Sequence, residues 1–95
     1  RGVPQDSKTA VKWYTLAAEQ GVADAQTSMG VMYAEGKGVL QDYVYAHMWW
    51  NIAASLGNED ASHNRAIIVT EMTPSQIEEA QDLARECVAK NYKNC

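Results

Sequence analysis

Cysteine and proline are each represented only twice and glycine six times in ninety-five residues. So few glycines and prolines exclude a collagen-like or linker-like chain. Two cysteines, Cys87 and Cys95, are too few for a cysteine-dense scaffold, and they lack any metal-binding Cys/His spacing. Basic residues are also in deficit, 8 against 12 acidic ones, for a formal net charge of −4. A field of that sign repels phosphate backbones, which excludes nucleic acid as a partner class. No apolar run approaches the roughly 18 residues of a membrane helix, and no basic-then-apolar signal segment opens the chain, so membrane insertion is not expected. Hydrophobic content of 46% with 21% charged residues is that of one folded domain. The opening segment Arg1-Gly2-Val3-Pro4-Gln5-Asp6 reads as a connecting loop and suggests a piece of a longer protein.

What is present in abundance is self-similarity at an offset of 36 residues. Gly2 matches Gly38, Val3 Val39, Gln5 Gln41, Asp6 Asp42, Ala10 Ala46, Trp13 Trp49, Ala17 Ala53, Ala18 Ala54, Gly21 Gly57, Asp24 Asp60 and Ala25 Ala61. That period marks stacked helical hairpins. Ala10, Trp13, Tyr14, Ala17 and Ala18 recur as Ala46, Trp49, Trp50, Ala53 and Ala54, one apolar helix face in each copy. Asp6 and Asp42 stand where a carboxylate caps free N–H groups, and Gly21 and Gly57 where a left-handed residue stops a helix. Between them, Ala25, Met29, Met32 and Tyr33 share a face, and Gly30 implies a close helix crossing, with Ala66 equivalent to it. Thr73, Pro74 and Gln76 form a helix start with a capping box. The pattern predicts five helices, near 7–20, 24–35, 42–55, 60–72 and 74–91. The last, with Ile77, Ala80, Ala84, Cys87 and Val88 on one face, is expected to be a lid over the last apolar surface of the array.

The motif Ala25-x3-Met29-Gly30-x-Met32-Tyr33-x2-Gly36-x-Gly38-Val39-x-Gln41-Asp42, followed by Ala46-x2-Trp49-x3-Ala53-Ala54-x2-Gly57-x3-Ala61, resembles the Sel-one-like repeat family (SLR), a branch of the tetratricopeptide-like repeats. The resemblance implies an all-α, right-handed solenoid of antiparallel helix pairs with a C-terminal capping helix. Residues 1–23 would be the second half of a repeat, 24–59 a complete repeat, and 60–95 a partial repeat with its cap. It further implies a protein–protein scaffold with no catalytic site and no cofactor. Some cysteine-rich relatives are linked to β-lactam binding, which leaves a cell-envelope ligand-binding role or a purely structural cap as alternatives. The serine–x–x–lysine nucleophile motif is absent, since Ser7, Ser28, Ser55, Ser62 and Ser75 precede Ala10, Val31, Asn58, Arg65 and Glu78 at the third place.

Other chemistry-bearing residues read as structural. Gly36-Lys37-Gly38 lacks phosphate-loop spacing and reads as a turn. His47 and His63 lie on different helices with no metal-ligand spacing, and both are expected to be solvated. Glu78, Glu79, Asp82 and Glu86 are spaced for a solvated helix face. Trp49 and Trp50 are assigned to the packing face, and Trp13 is expected to play the same architectural part as Trp49. Cys87 and Cys95 are about 12 Å apart in a continuous helix, so pairing requires a stop near Asn91. A disulfide with a periplasmic or secreted setting is favoured over two reduced thiols in the cytoplasm.

In tetratricopeptide-like stacks the first helix of each hairpin lines the concave side. The positions there not claimed by packing are Thr27, Ser28, Val31 and Glu35, then His63, Asn64, Ile67 and Glu71, a polar strip with an apolar centre suited to a protein or peptide segment. The missing half of the first repeat leaves an uncovered apolar edge at Trp13 and Tyr14, which a preceding helix is expected to cover in a longer protein and through which this fragment is expected to self-associate.

Overall fold

Local chemistry places the helix ends. In the computed structural model, which describes residues 6–95, helix α1 spans Ser7–Glu19, α2 Ala23–Glu35, α3 Tyr43–Ser55, α4 Glu59–Ile68 and α5 Pro74–Ala89, with a 3-10 turn at Val69–Glu71. The repeat positions Gly2, Val3 and Gln5 lie outside the described residues. The Asp6 carboxylate accepts from the Lys8 N–H at 3.0 Å and the Thr9 hydroxyl at 2.9 Å. The Thr9 bond foremost, then the Lys8 N–H, favours the charged form and lowers the Asp6 pKa. Asp42 caps α3 in the same way, accepting from the Tyr45 N–H at 3.1 Å. Gly21 and Gly57, at φ +84° and +95°, end α1 and α3 as expected. At α5 the Thr73–Gln76 capping box is complete.

The helices stack as α1–α2, α2–α3 and α3–α4, with short turns that make neighbours antiparallel. Alanines set the spacing: Ala18, Ala46, Ala53, Ala61 and Ala80 are fully buried, so backbones approach closely. One apolar cluster joins Ala18, Ala25 and Met29 to Met48, Trp49, Ile52, Ala84 and Cys87. A second joins Ala46, Trp50 and Ala53 to Ala61, Ile68, Met72 and Ala80. The Gly30 crossing is real: the Trp50 indole lies over it and donates its N–H to the Thr27 carbonyl at 3.0 Å. The starts of α2 and α4 are also tied, by the Asn58 amide donating to the Asp24 carboxylate at 2.9 Å.

One expectation needs correction. The fourth helix was expected to reach residue 72 but stops at Ile68 and tightens to a 3-10 turn. Ile67, Ile68, Val69 and Thr70 are all β-branched, which weakens a helix, and the Thr70 hydroxyl bonds back to the Ile67 carbonyl at 2.8 Å. Helix α5 packs chiefly along α3, and its Ala80 joins Ala61 and Ile68 of α4 in the second apolar cluster. Beyond α5, Asn91 takes φ +56° and the chain folds back so that Cys95 pairs with Cys87. The returning tail reaches α1: the Lys93 ammonium donates to the Glu19 carbonyl at 2.7 Å, and the Asn94 N–H to the Glu19 carboxylate at 3.3 Å. Helix α5 and its disulfide-closed hook therefore brace α3 and α1 from one side.

Candidate interaction surface

A groove of about 320 Å³ runs between α1 and α2, with Ser7, Ala10 and Tyr14 on one wall and Ser28, Val31, Met32 and Glu35 on the other. Lys37 closes one end, where its ammonium pairs with Glu35 at 3.1 Å. Both partners are solvated, so the pair orients charge more than it stabilises the fold. The groove exists because α2 turns its packing face to α3 and leaves the Ser28–Val31–Glu35 row free. Gly36, left-handed at φ +68°, then turns the chain away.

The strip expected from the sequence is divided by the structure. Ser28 and Val31 are half-buried and Glu35 exposed, all lining this groove. On α4 and its 3-10 turn, His63, Ile67 and Glu71 are exposed and Asn64 half-buried. Thr27 does not belong to the strip: it is buried, its hydroxyl donates to the Ala23 carbonyl at 3.0 Å, and its own carbonyl holds Trp50. Tyr14, Ser7 and Met32 were not foreseen as wall residues. Tyr14 was assigned to an uncovered packing edge; it packs against the first apolar cluster and also lines this groove.

His47 is a second correction. It is 2% exposed, not solvated, and its Nδ1 has no hydrogen-bond partner among the described residues. Burial foremost, with nearby Arg65, pushes its pKa below the ordinary histidine value. The Arg65 guanidinium itself donates to the Asn51 side-chain carbonyl at 2.5 Å. His63 is solvated as expected. Glu78, Glu79, Asp82 and Glu86 face solvent along α5, with Asp82 paired to Arg85. Among the described residues no three His, Cys, Asp or Glu side chains converge to hold a metal ion, and no helix is long and apolar enough to cross a membrane.

A second open surface lies on the other side of α1, an exposed face formed by Lys8, Lys12, Trp13 and Leu16. Trp13 is 64% exposed whereas Trp49 is 3% exposed. The two tryptophans hold the same helical position but not the same surroundings, so the expectation that they play one part fails. The uncovered edge expected at Trp13 is present.

Comparison with known proteins agrees with this architecture. The Sel1 repeat family model matches residues 1–22 and 23–58. Among solved structures the chain is similar to c5321, a protective antigen present in uropathogenic Escherichia coli strains that displays an SLR fold. The identity is 32% and the TM-score 0.87, over 96% of this chain and 21% of that one. It is also similar to a Sel1 repeat protein from Oxalobacter formigenes, with 34% identity and a TM-score of 0.68, over 74% of this chain and 29% of that one. The chain thus spans less than a third of the length of either relative. No curated protein sequence matches it. With two repeat matches over more than half its length, and hairpins that stack at the repeat period, the chain belongs to the Sel1 repeat family, whose members are typically protein-interaction scaffolds.

Proposed function

We propose that this chain is a protein-interaction module that holds an extended protein segment on the α2 and α4 side, with no catalytic activity of its own. In this organisation residues 1–23 contribute the second half of a repeat, 24–59 a complete repeat, and 60–95 a partial repeat and its brace. The observation that carries the reading is the groove in which Val31 and Tyr14 supply an apolar floor while Ser7, Ser28, Glu35 and Lys37 supply polar rims. An apolar floor takes one anchoring side chain of a peptide, and the hydroxyl and charged rims take its backbone and flanking residues. Ile67 repeats Val31 one period on, which gives the strip a second anchor point. The Cys87–Cys95 disulfide favours a periplasmic or secreted setting.

The test is selection of a random dodecapeptide display library on the immobilised domain, followed by titration of the enriched peptides. Val31→Ala combined with Ile67→Ala should weaken those peptides at least tenfold without lowering the helical signal, whereas Glu78→Ala on α5 should leave binding unchanged. Unaltered affinity in the Val31/Ile67 variant would refute the strip as the binding surface.

A further inference from the structure

Helices α4 and α5 both pack on α3, and they meet at a corner where Ile68, Met72 and Ala80 are buried together. Beyond that corner they diverge and leave a shallow, wedge-shaped cleft over α3. Asn51, Ile52 and Ser55 form its floor, and Ala84, Arg85 and Val88 its α5 side. The floor follows from helical spacing: His47, Asn51 and Ser55 stand four residues apart and form one row along α3. That row is polar on a helix that is otherwise apolar nearly all round. At the closed end, His47 is 2% exposed and its Nδ1 has no partner among the described residues. Buried polar groups are normally satisfied, so this one is an exception that packing alone does not explain. Arg65, half-buried on α4 one turn before Ile68, donates to the Asn51 side-chain carbonyl at 2.5 Å. Among the described residues no carboxylate pairs with Arg65, whereas Arg85 is paired with Asp82. A guanidinium carries five donors in a fixed fork, so Arg65 is held in place by one bond with most of its donors open.

We propose that this cleft receives the free C-terminal carboxylate of a partner protein whose last residue is aliphatic. Arg65 and the Asn51 amide take the carboxylate, and Ile52, Ala84 and Val88 take the side chain. Charge complementarity selects the carboxylate, because Arg65 is a cation without a counter-ion and its planar fork matches two carboxylate oxygens. The Asn51 carbonyl is spent on Arg65, so its amide nitrogen remains to donate to the same group. The His47 pKa is lowered, by burial first and by Arg65 second, so at neutral pH the imidazole adds no charge of its own. Shape selects a chain end. A segment running through the cleft needs two open ends, and the Ile68–Met72–Ala80 corner closes one of them. A C-terminal residue carries its carboxylate and its side chain on the same Cα, which suits a cleft that sets the Arg65–Asn51 pair beside Ile52. At the open end Val88 is 46% exposed and completes the apolar wall. None of these residues lies in the Ser28–Val31–Ile67 strip, so the site goes beyond the proposed function and stands without it.

The experiment selects from a library of random peptides displayed with free C-termini, then titrates the enriched sequences by fluorescence anisotropy as the acid and as the C-terminal amide. Enriched peptides should end in Leu, Ile or Val. Amidation should weaken them at least tenfold, and the affinity of the acid should fall as salt is raised. Arg65→Gln should cause a comparable loss, and Arg65→Lys, which keeps the charge without the fork, a smaller one. Val88→Glu sets a carboxylate at the open end on an exposed position and should also weaken the acid at least tenfold. It keeps the test independent of any effect of Arg65 on folding, which circular dichroism monitors in every variant. Val31→Ala combined with Ile67→Ala should leave these peptides unaffected, which separates this site from the strip. Equal affinity of acid and amide would overturn the proposal, and so would a selection that enriches no free-ended peptide. Binding through an internal Asp or Glu with the terminus capped would mean a through-running acidic segment and would overturn it too. So would unchanged affinity in both Arg65→Gln and Val88→Glu.

Discussion

Gly30→Ala is the substitution on which propensity and packing give opposite signs. In an exposed helix interior, replacing glycine with alanine stabilises by about 1 kcal/mol. At Gly30 the new methyl would lie 2.5 Å from Cδ1 and 2.6 Å from Cε2 of Trp50, and nearer still to its Nε1. Carbon atoms at contact are about 3.5–4.0 Å apart, so α2 and α3 must separate or the indole must swing. Overpacking of this kind costs about 1–3 kcal/mol. A swung indole also loses its 3.0 Å bond to the Thr27 carbonyl and leaves two buried groups unpaired, about 1–3 kcal/mol more. After the propensity gain is subtracted, a net loss of about 1–5 kcal/mol remains. At about 4–8 °C per kcal/mol for a domain of this size, the melting midpoint should fall by at least about 4 °C. Urea denaturation followed by tryptophan fluorescence and circular dichroism reads the loss directly. The penalty should shrink in a Trp50→Phe background, which lacks Nε1, the nearest of the clashing atoms. Ala66→Gly, at the exposed equivalent position, should cost only the propensity, about 1 kcal/mol. A Gly30→Ala protein as stable as the parent, or more so, would refute the close crossing.

Two further perturbations test the brace and the buried histidine. Cys95→Ser opens a loop closed over a separation of eight residues and should cost about 2–3 kcal/mol on the chain-entropy account. It should also raise amide exchange at the end of α1, where Lys93 and Asn94 hold Glu19; an unchanged denaturation midpoint and unchanged exchange would show that the hook braces nothing. Because His47 has a lowered pKa when folded, the unfolded chain takes up its proton first as pH falls below the ordinary value of 6.5. Its contribution to stability is therefore full above that value and declines on acidification toward the folded pKa. Urea midpoints between pH 8 and 5 should show this decline, and His47→Gln should flatten it; an identical slope in the variant would mean that His47 is not the group responsible.

The helices were legible because their signals are local. A capping carboxylate at Asp6 or Asp42, a left-handed glycine at Gly21 or Gly57, and the Thr73–Gln76 box each act within one turn of chain, and each is found where the residue pattern placed it. The stop at Asn91 belongs to the same class, since a short amide side chain tolerates positive φ, and it makes the Cys87–Cys95 pairing reachable. The end of α4 was misplaced for want of such a signal. No glycine follows it, and the β-branched run that ends it looks apolar and periodic enough to continue a helix. Direction was harder still: nothing in the face Ala80–Ala84–Cys87 states that the terminal helix packs chiefly along α3. That choice rests on Met48 and Ile52, which lie more than twenty residues upstream in a face whose demand for cover only the assembled stack reveals.

The same distinction explains the errors at the candidate surface. Periodicity states which side of a helix is apolar but not how many neighbours that helix has. Trp13 and Trp49 occupy one position in the repeat, yet α3 has α2, α4 and α5 around it while α1 has α2 and the returning tail. A helix with neighbours on three sides loses its polar face, and α3 does: Tyr43-Val44-Tyr45-Ala46-His47-Met48-Trp49-Trp50-Asn51-Ile52-Ala53-Ala54 carries apolar or aromatic residues nearly all round. His47 was read by its residue type, which is usually solvated. It should have been read by its helix, where a position outside the Trp49–Ala53 stripe still meets a neighbour. Thr27 reverses the case, because it was placed on a free row by its polarity although it stands one turn before Gly30, at the closest approach of α2 and α3. In a stacked array the chemistry of a side chain is thus decided first by the number of helices around its own, and the contrast between one period and the next is the sequence feature that reports it.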